Sequence, residues 1–228
     1  MRLIYALCFC WAACDQHETV KQNFQQTQQV SAKINYQQSI AQRDSIKISC
    51  KRNHTGAHGE RFTEFVINHL FPYWYGTDWD FNGITEEPLK GKIACGYFVT
   101  TVLRDAGYPI QRIKMAQCAS LVMIKSLTNK LDYFSNSPYD EFIQKVSSRG
   151  KGLYVIGLDC HTGFLYHDGK ELFFIHASYL GERQVVKEKA ILNSILKQSK
   201  FKVVGYLSLD EKFISRWLNS QNENTHTN

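Results

Sequence analysis

Apolar positions recur at helical spacing in the earlier part of the chain and at strand spacing in the later part. From Glu60 to Phe71, the residues Phe62, Phe65, Val66, His69 and Leu70 fall near one face of a helix, and Pro72 is expected to stop it. A second helix is predicted from Cys95, with Phe98, Val99, Val102 and Leu103 along one side. It closes at Asp105-Ala106-Gly107, where Gly107 suits a left-handed cap. Further helices are expected over residues 115–128 and 138–148. The pattern then changes: Leu153–Leu158, Thr162–Tyr166, Leu172–Ala177 and Val203–Leu207 are rich in β-branched, aromatic and apolar residues and read as strands. Helices first and sheet afterwards predict an α+β fold with N-terminal helices packed on a central antiparallel sheet.

The ends of the chain lie outside that pattern. Arg2 precedes an apolar stretch, Leu3–Ala13, that is too short to span a membrane. With small residues before Cys14 it reads as a secretory signal over 1–13. Ala12-Ala13-Cys14 is similar to a lipoprotein processing site, which would make Cys14 a lipid anchor in the cell envelope. The alternative is an ordinary leader in which Cys14 is incidental. Residues 14–45 carry eight of their glutamines between Gln22 and Gln42 and few apolar anchors, and read as a tether. The globular unit is expected over 46–219, with a polar tail at 220–228.

Composition narrows the function classes. A chain of 228 residues, 43% hydrophobic and 13% aromatic, can bury a core of its own, and it shows no internal repeat. The formal charge of +6 comes without a basic run interleaved with aromatics, so no nucleic-acid partner is expected. Nothing in the pattern indicates an oligomeric state. Past the leader and Cys14, four cysteines remain: Cys50, Cys95, Cys118 and Cys160. If Cys95 stays a thiol the other three cannot all pair.

Two observations carry chemistry. Asp168-Gly169 between apolar runs is a two-residue hairpin signal. Pairing His167 with Lys170 would set His161 directly opposite His176, one imidazole orienting the other. Cys95, between Gly91 and Gly96 and at the start of an apolar helix, would meet unsatisfied backbone N–H groups and the positive end of the helix dipole. Both favour a thiolate, and a neighbouring imidazole would stabilise it as an ion pair. Thiol, histidine and a group orienting the histidine make an acyl-transfer site. Other residues have plainer readings. Cys160 faces away from His161 on a strand. Cys118, with Met115, Leu121 and Val122, reads as core. His167 sits solvated in the turn, and Trp74, Trp79 and Phe81 read as core or wall. The histidine and cysteine spacings match no standard zinc pattern, so no metal or cofactor is expected.

Four segments in order, Pro72-Tyr73-Trp74-Tyr75-Gly76, Cys95-Gly96-Tyr97-Phe98-Val99, His161-Thr162-Gly163-Phe164 and Phe174-Ile175-His176-Ala177-Ser178, resemble the NlpC/P60 superfamily of papain-like cysteine peptidases. The resemblance covers residues 60–180. It implies a papain-like fold and hydrolysis of amide bonds, in many members those of peptidoglycan stem peptides. By position it implies Cys95 as nucleophile, His161 as general base and acid, His176 as its orienting partner, and Tyr73 with the Cys95 N–H at the oxyanion. The chain departs from the usual pattern in having Ala94 before the cysteine and Gly96 after it. It also carries a longer stretch between Tyr75 and Cys95, expected to reshape one wall of the cleft. The alternatives are an amidase or acyltransferase on another acyl substrate, and an anchored binding domain without turnover.

Overall fold

The computed structural model describes residues 35–52 and 56–220. The expected leader, Cys14, most of the tether and all but the first residue of the polar tail lie outside them. Among the described residues no helix is long and apolar enough to cross a membrane.

The chain is an α+β protein built on a six-stranded antiparallel sheet. Its strands are β3 (Leu131–Ser135), β4 (Gly152–Leu158), β5 (Thr162–His167), β6 (Leu172–Ala177), β7 (Val185–Lys189) and β8 (Phe201–Gly205), in the spatial order β3-β8-β4-β5-β6-β7. All seven residues of β4 are buried, because both faces of the sheet are covered. Leu153, Val155, Phe164, Ile175 and Val203 join one core and Tyr154, Ile156, Leu165, Phe174 and Val204 the other. This is the period-two alternation of a strand buried on both sides.

The first core is closed by helices. Residues 35–52 form α1, His58–Phe65 form α2, Phe71–Trp74 form α3 and Cys95–Asp105 form α4. Later in the chain come α5 (Arg112–Ala116), α6 (Ser120–Leu127), α7 (Tyr139–Ser147), α8 (Ser194–Gln198) and α9 (Glu211–Asn219). Phe142 and Val146 of α7 and Ile195 and Leu196 of α8 fill the second core, a layer that the expected helices-on-one-sheet arrangement did not include.

Several expectations need correction. Pro72 does not stop the first helix. A π-helical turn over Val66–Leu70 lets Pro72 fall in the first turn of α3, where a missing N–H costs little. The helix expected over 115–128 is broken at Gln117–Ala119 into α5 and α6. The tether does not reach residue 45, since α1 packs on the domain. Tyr36 is 1% exposed and donates to Asp105 Oδ2 at 2.6 Å, while Trp74 Nε1 donates to Tyr36 Oη at 2.9 Å. Lys47 Nζ reaches the Gly107 carbonyl at 2.7 Å. Helix α4 therefore has the thiol residue at its N-terminus and is tied to α1 at its C-terminus, where Gly107 takes the expected left-handed φ of 80°.

The hairpin register also differs. Asp168 Oδ1 accepts from the backbone N–H groups of Lys170 and Glu171 at 2.7 and 2.8 Å, which makes a four-residue loop of Asp168–Glu171. His167 then pairs with Leu172, not Lys170. His167 is consequently inside the ladder, 6% exposed with Nδ1 lacking a hydrogen-bond partner, and not solvated in the turn.

Candidate active site

A hairpin, a strand and a helix N-terminus converge on one cleft. β4 and β5 are joined by a tight turn in which the Leu158 N–H donates to the His161 carbonyl at 2.8 Å, so His161 stands at the mouth of the sheet. The two-residue shift in register moves His161 off the position directly opposite His176. An even shift leaves both on the same face. Gly163 takes the place beside His176: a Cβ built there would lie 2.8 Å from the His176 Cβ and 2.7 Å from the Phe174 ring. With that space empty, the imidazoles meet diagonally, His161 Nε2 to His176 Nδ1 at 2.8 Å.

The chain of hydrogen bonds continues. His176 Nε2 lies 3.0 Å from Glu188 Oε2, which also accepts from Asn193 Nδ2 at 2.7 Å. A carboxylate only accepts, so His176 Nε2 carries a proton and its Nδ1 is the acceptor. His161 must then donate from Nε2, which leaves the lone pair on His161 Nδ1. The Phe174 ring stacks on His176 with centroids 3.9 Å apart and locks its plane. Glu188 faces this site because it pairs with Phe174 in the β6–β7 ladder. Asn193 is held by accepting from the Leu196 N–H at the start of α8.

Cys95 enters from α4 and lines the same cleft as His161 and Thr162. Backbone N–H groups of Thr162, Gly96 and Cys95 itself point at the sulfur. Among the described residues none of its hydrogen bonds comes from the His161 ring. Burial nevertheless raises the thiol above its ordinary value, outweighing those donors. Burial first, and the charge of His176 second, push His161 down to about 3. Burial also lowers His176 against the pull of Glu188, and the hydrogen bond from His176 leads in lowering Glu188. The resting pair is thus neutral thiol and neutral imidazole, where the sequence led us to expect an ion pair.

Gly96 replaces a side chain for a steric reason: a Cβ there would sit 2.5 Å from the Ala116 carbonyl oxygen. Its absence lets α5 close onto the start of α4. Gly157 does the same for α6, where a Cβ would meet Ser120 Oγ at 2.6 Å. The cleft of about 500 Å³ lies between these helices, the Leu158–His161 turn and Phe201.

Tyr73 is elsewhere. Phe71 and Trp74 take the buried face of α3, which turns Tyr73 toward α1. Its ring lies 5.6 Å from that of Tyr36, and its hydroxyl accepts from Ser39 at 3.3 Å. The aromatic residues beside His161 are Phe174, with ring centroids 6.0 Å apart, and Tyr179, with ring centroids 5.2 Å apart. Burial, then the nearby Cys160 and Cys95 sulfurs, raise the Tyr179 hydroxyl above the usual value. The long stretch before Cys95 is bracketed by a parallel pair, β1 (Asp78–Trp79) with β2 (Lys92–Ile93). It reaches the site through Trp79, 6.1 Å from the Tyr179 ring and 4.8 Å from the Arg183 guanidinium. Cys160 is exposed in the turn, Cys118 lines the cleft and is not core, and Cys50 is buried on the packed side of α1. All four thiols are free. Among the described residues no group of three or more His, Cys, Asp or Glu is arranged to hold a metal. Compared with known protein families, with curated proteins and with solved structures, the chain finds no match in any of the three.

Proposed function

We propose that the chain is a cysteine hydrolase of amide bonds, with an NlpC/P60-like, papain-like arrangement, acting on peptidoglycan stem peptides. The observation that carries this reading is the chain Glu188–His176–His161, which leaves His161 Nδ1 unprotonated, together with the single cleft that His161 and Cys95 both line. The cell-wall substrate and an exported, lipid-anchored location are supported by the sequence alone, through the motif resemblance and the pattern of residues 1–14.

In this reading His161 Nδ1 takes the thiol proton as the sulfur attacks the carbonyl. The tetrahedral oxygen is received by backbone N–H groups at the start of α4. His161 then hands its proton to the leaving nitrogen as the C–N bond breaks and a thioester remains. Water attacks the thioester with His161 again as base, and the proton returns to sulfur. His176 and Glu188 hold the base in one tautomer throughout and stabilise the imidazolium when it forms.

Incubation of the purified protein with defined muropeptides, read by mass, tests the proposal. The expected result is two peptide products with gain of one water, lost in Cys95→Ser. Folded protein that cleaves no muropeptide but is acylated at Cys95 by simple activated esters would remove the wall substrate alone. A Cys95 inert to every acyl donor would remove the hydrolase.

A further inference from the structure

The walls of the cleft say what can lie beside the reacting carbonyl. Its floor is Met115, Ala116, Ala119, Leu121, Met123 and Phe201, continuous with Cys95 and Gly96. Among the described residues no lysine or arginine lines it. The one carboxylate, Asp159, is already used: Oδ2 accepts from Ser199 Oγ at 2.9 Å and the Lys200 N–H at 2.7 Å, and Oδ1 from the Phe201 N–H at 3.1 Å. The neighbouring cation Lys202 is buried, its ammonium bonded to the Ser199 carbonyl and 5.4 Å from the Phe142 ring of the second core. Lys114 borders a separate groove. Tyr179 stands beside His161 but does not line this cleft, so the leaving nitrogen, which His161 protonates, is assigned to the Tyr179 side. The floor formed by residues 115–123 is left for the acyl side.

We infer that the acyl group transferred to Cys95 is apolar and uncharged, of the size of an aliphatic amino acid or a short fatty acyl chain. This rests on the hydrolase reading above and narrows its substrate. A carboxylate entering the cleft would lose its water and meet no cation in exchange. Each methylene of an aliphatic chain would gain from burial, and two methionines let the floor adapt to chain shape. Applied to wall peptides, the inference favours a bond whose carbonyl belongs to an alanine over one whose carbonyl belongs to an acidic residue.

The test is hydrolysis of p-nitrophenyl butyrate, hexanoate and hemisuccinate by the full-length chain, with Cys95→Ser as blank. Butyrate and hemisuccinate are close in length and differ in charge. The expected kcat/KM for butyrate exceeds that for hemisuccinate at least ~10-fold, and hexanoate exceeds butyrate, since each buried methylene is worth roughly a factor of four at most. Leu121→Lys, or Met115→Glu should the first fold poorly, is expected to change the hexanoate-to-hemisuccinate ratio by about tenfold. The lysine lowers that ratio and the glutamate raises it, while Val122→Lys, at an exposed neighbour outside the floor, leaves it unchanged. Cys95-dependent turnover with hemisuccinate as good as butyrate overturns the inference and spares the hydrolase. No Cys95-dependent turnover of any ester overturns both.

Discussion

At the residue scale the candidate site is a hydrogen-bonded chain whose ends differ in legibility. Cys95, His161 and His176 stand in motifs and could be named as candidates from the sequence; the structure brings the two histidines into contact and places Cys95 and His161 on one cleft. Glu188 and Asn193 were not, because Lys187-Glu188-Lys189 looks like any solvated charged run, and only the register against Phe174 turns Glu188 toward the histidines. Tyr179 was missed because it lies one residue past the motif that ends at Ser178, and Tyr73 was favoured by its motif although α3 turns it to α1. Replacing Glu188 by Ala removes the acceptor that fixes His176 and is expected to lower kcat/KM about tenfold, or ~1.4 kcal/mol. Its half-exposed carboxylate limits the loss, and Glu188→Gln, which keeps an acceptor oxygen, should recover much of it. Gly163→Ala is expected to cost more, since the new methyl group would run into the Phe174 ring and the His176 Cβ and so displace His176. Steady-state kinetics on an activated ester checks all three.

At the element scale the unforeseen part is α1. Its polarity hid a stripe at helical spacing, Tyr36, Ile40, Arg43, Lys47 and Cys50, in which two of five positions are charged. Such a helix is recognisable only once its partners are known: Asp105 and Gly107 at the end of α4, and Trp74. Burial raises the Asp105 carboxyl in spite of Arg104 beside it, so the Tyr36 hydroxyl is its neutral partner in a dry site. Tyr36→Phe leaves both Asp105 and the Trp74 indole N–H short of a partner and is expected to cost about 1–2 kcal/mol, measured by urea denaturation. The hairpin teaches the converse. Asp168-Gly169 signalled a turn correctly, but the Asp168 side chain bonds two residues on and sets a longer loop, an effect that counting from the turn cannot foresee.

At the scale of the whole molecule, the α+β class was legible because the order of helical and strand periodicity survives in any such fold. The second covered face was not, since Phe142, Val146, Ile195 and Leu196 lie in separate short elements with no sequence signal joining them. A sheet buried on both sides keeps the two histidines dry, and this has a consequence for acid stability. The folded state holds His161 near 3, against 6.5 in the open chain, and holds His176 low in the same direction. Below pH 6.5 the unfolded chain therefore binds more protons. The stabilisation is complete above that pH and declines as pH falls toward 3. At pH 4.5 His161 alone accounts for about 3 kcal/mol lost. The melting temperature is expected to drop between pH 7 and 4.5, and a His161→Phe variant to show a shallower drop. Equal slopes for the two proteins would contradict the assignment.

The hydrogen shared between the two imidazoles is shut away from solvent, with His161 5% and His176 0% exposed. Such a proton trades places with bulk deuterium slowly, and a short ring-to-ring contact shifts its magnetic resonance far downfield. The protein therefore contains its own spectroscopic reporter. Downfield imidazole signals, absent from His176→Ala, would reveal the paired rings in a single spectrum before any reactant has been found.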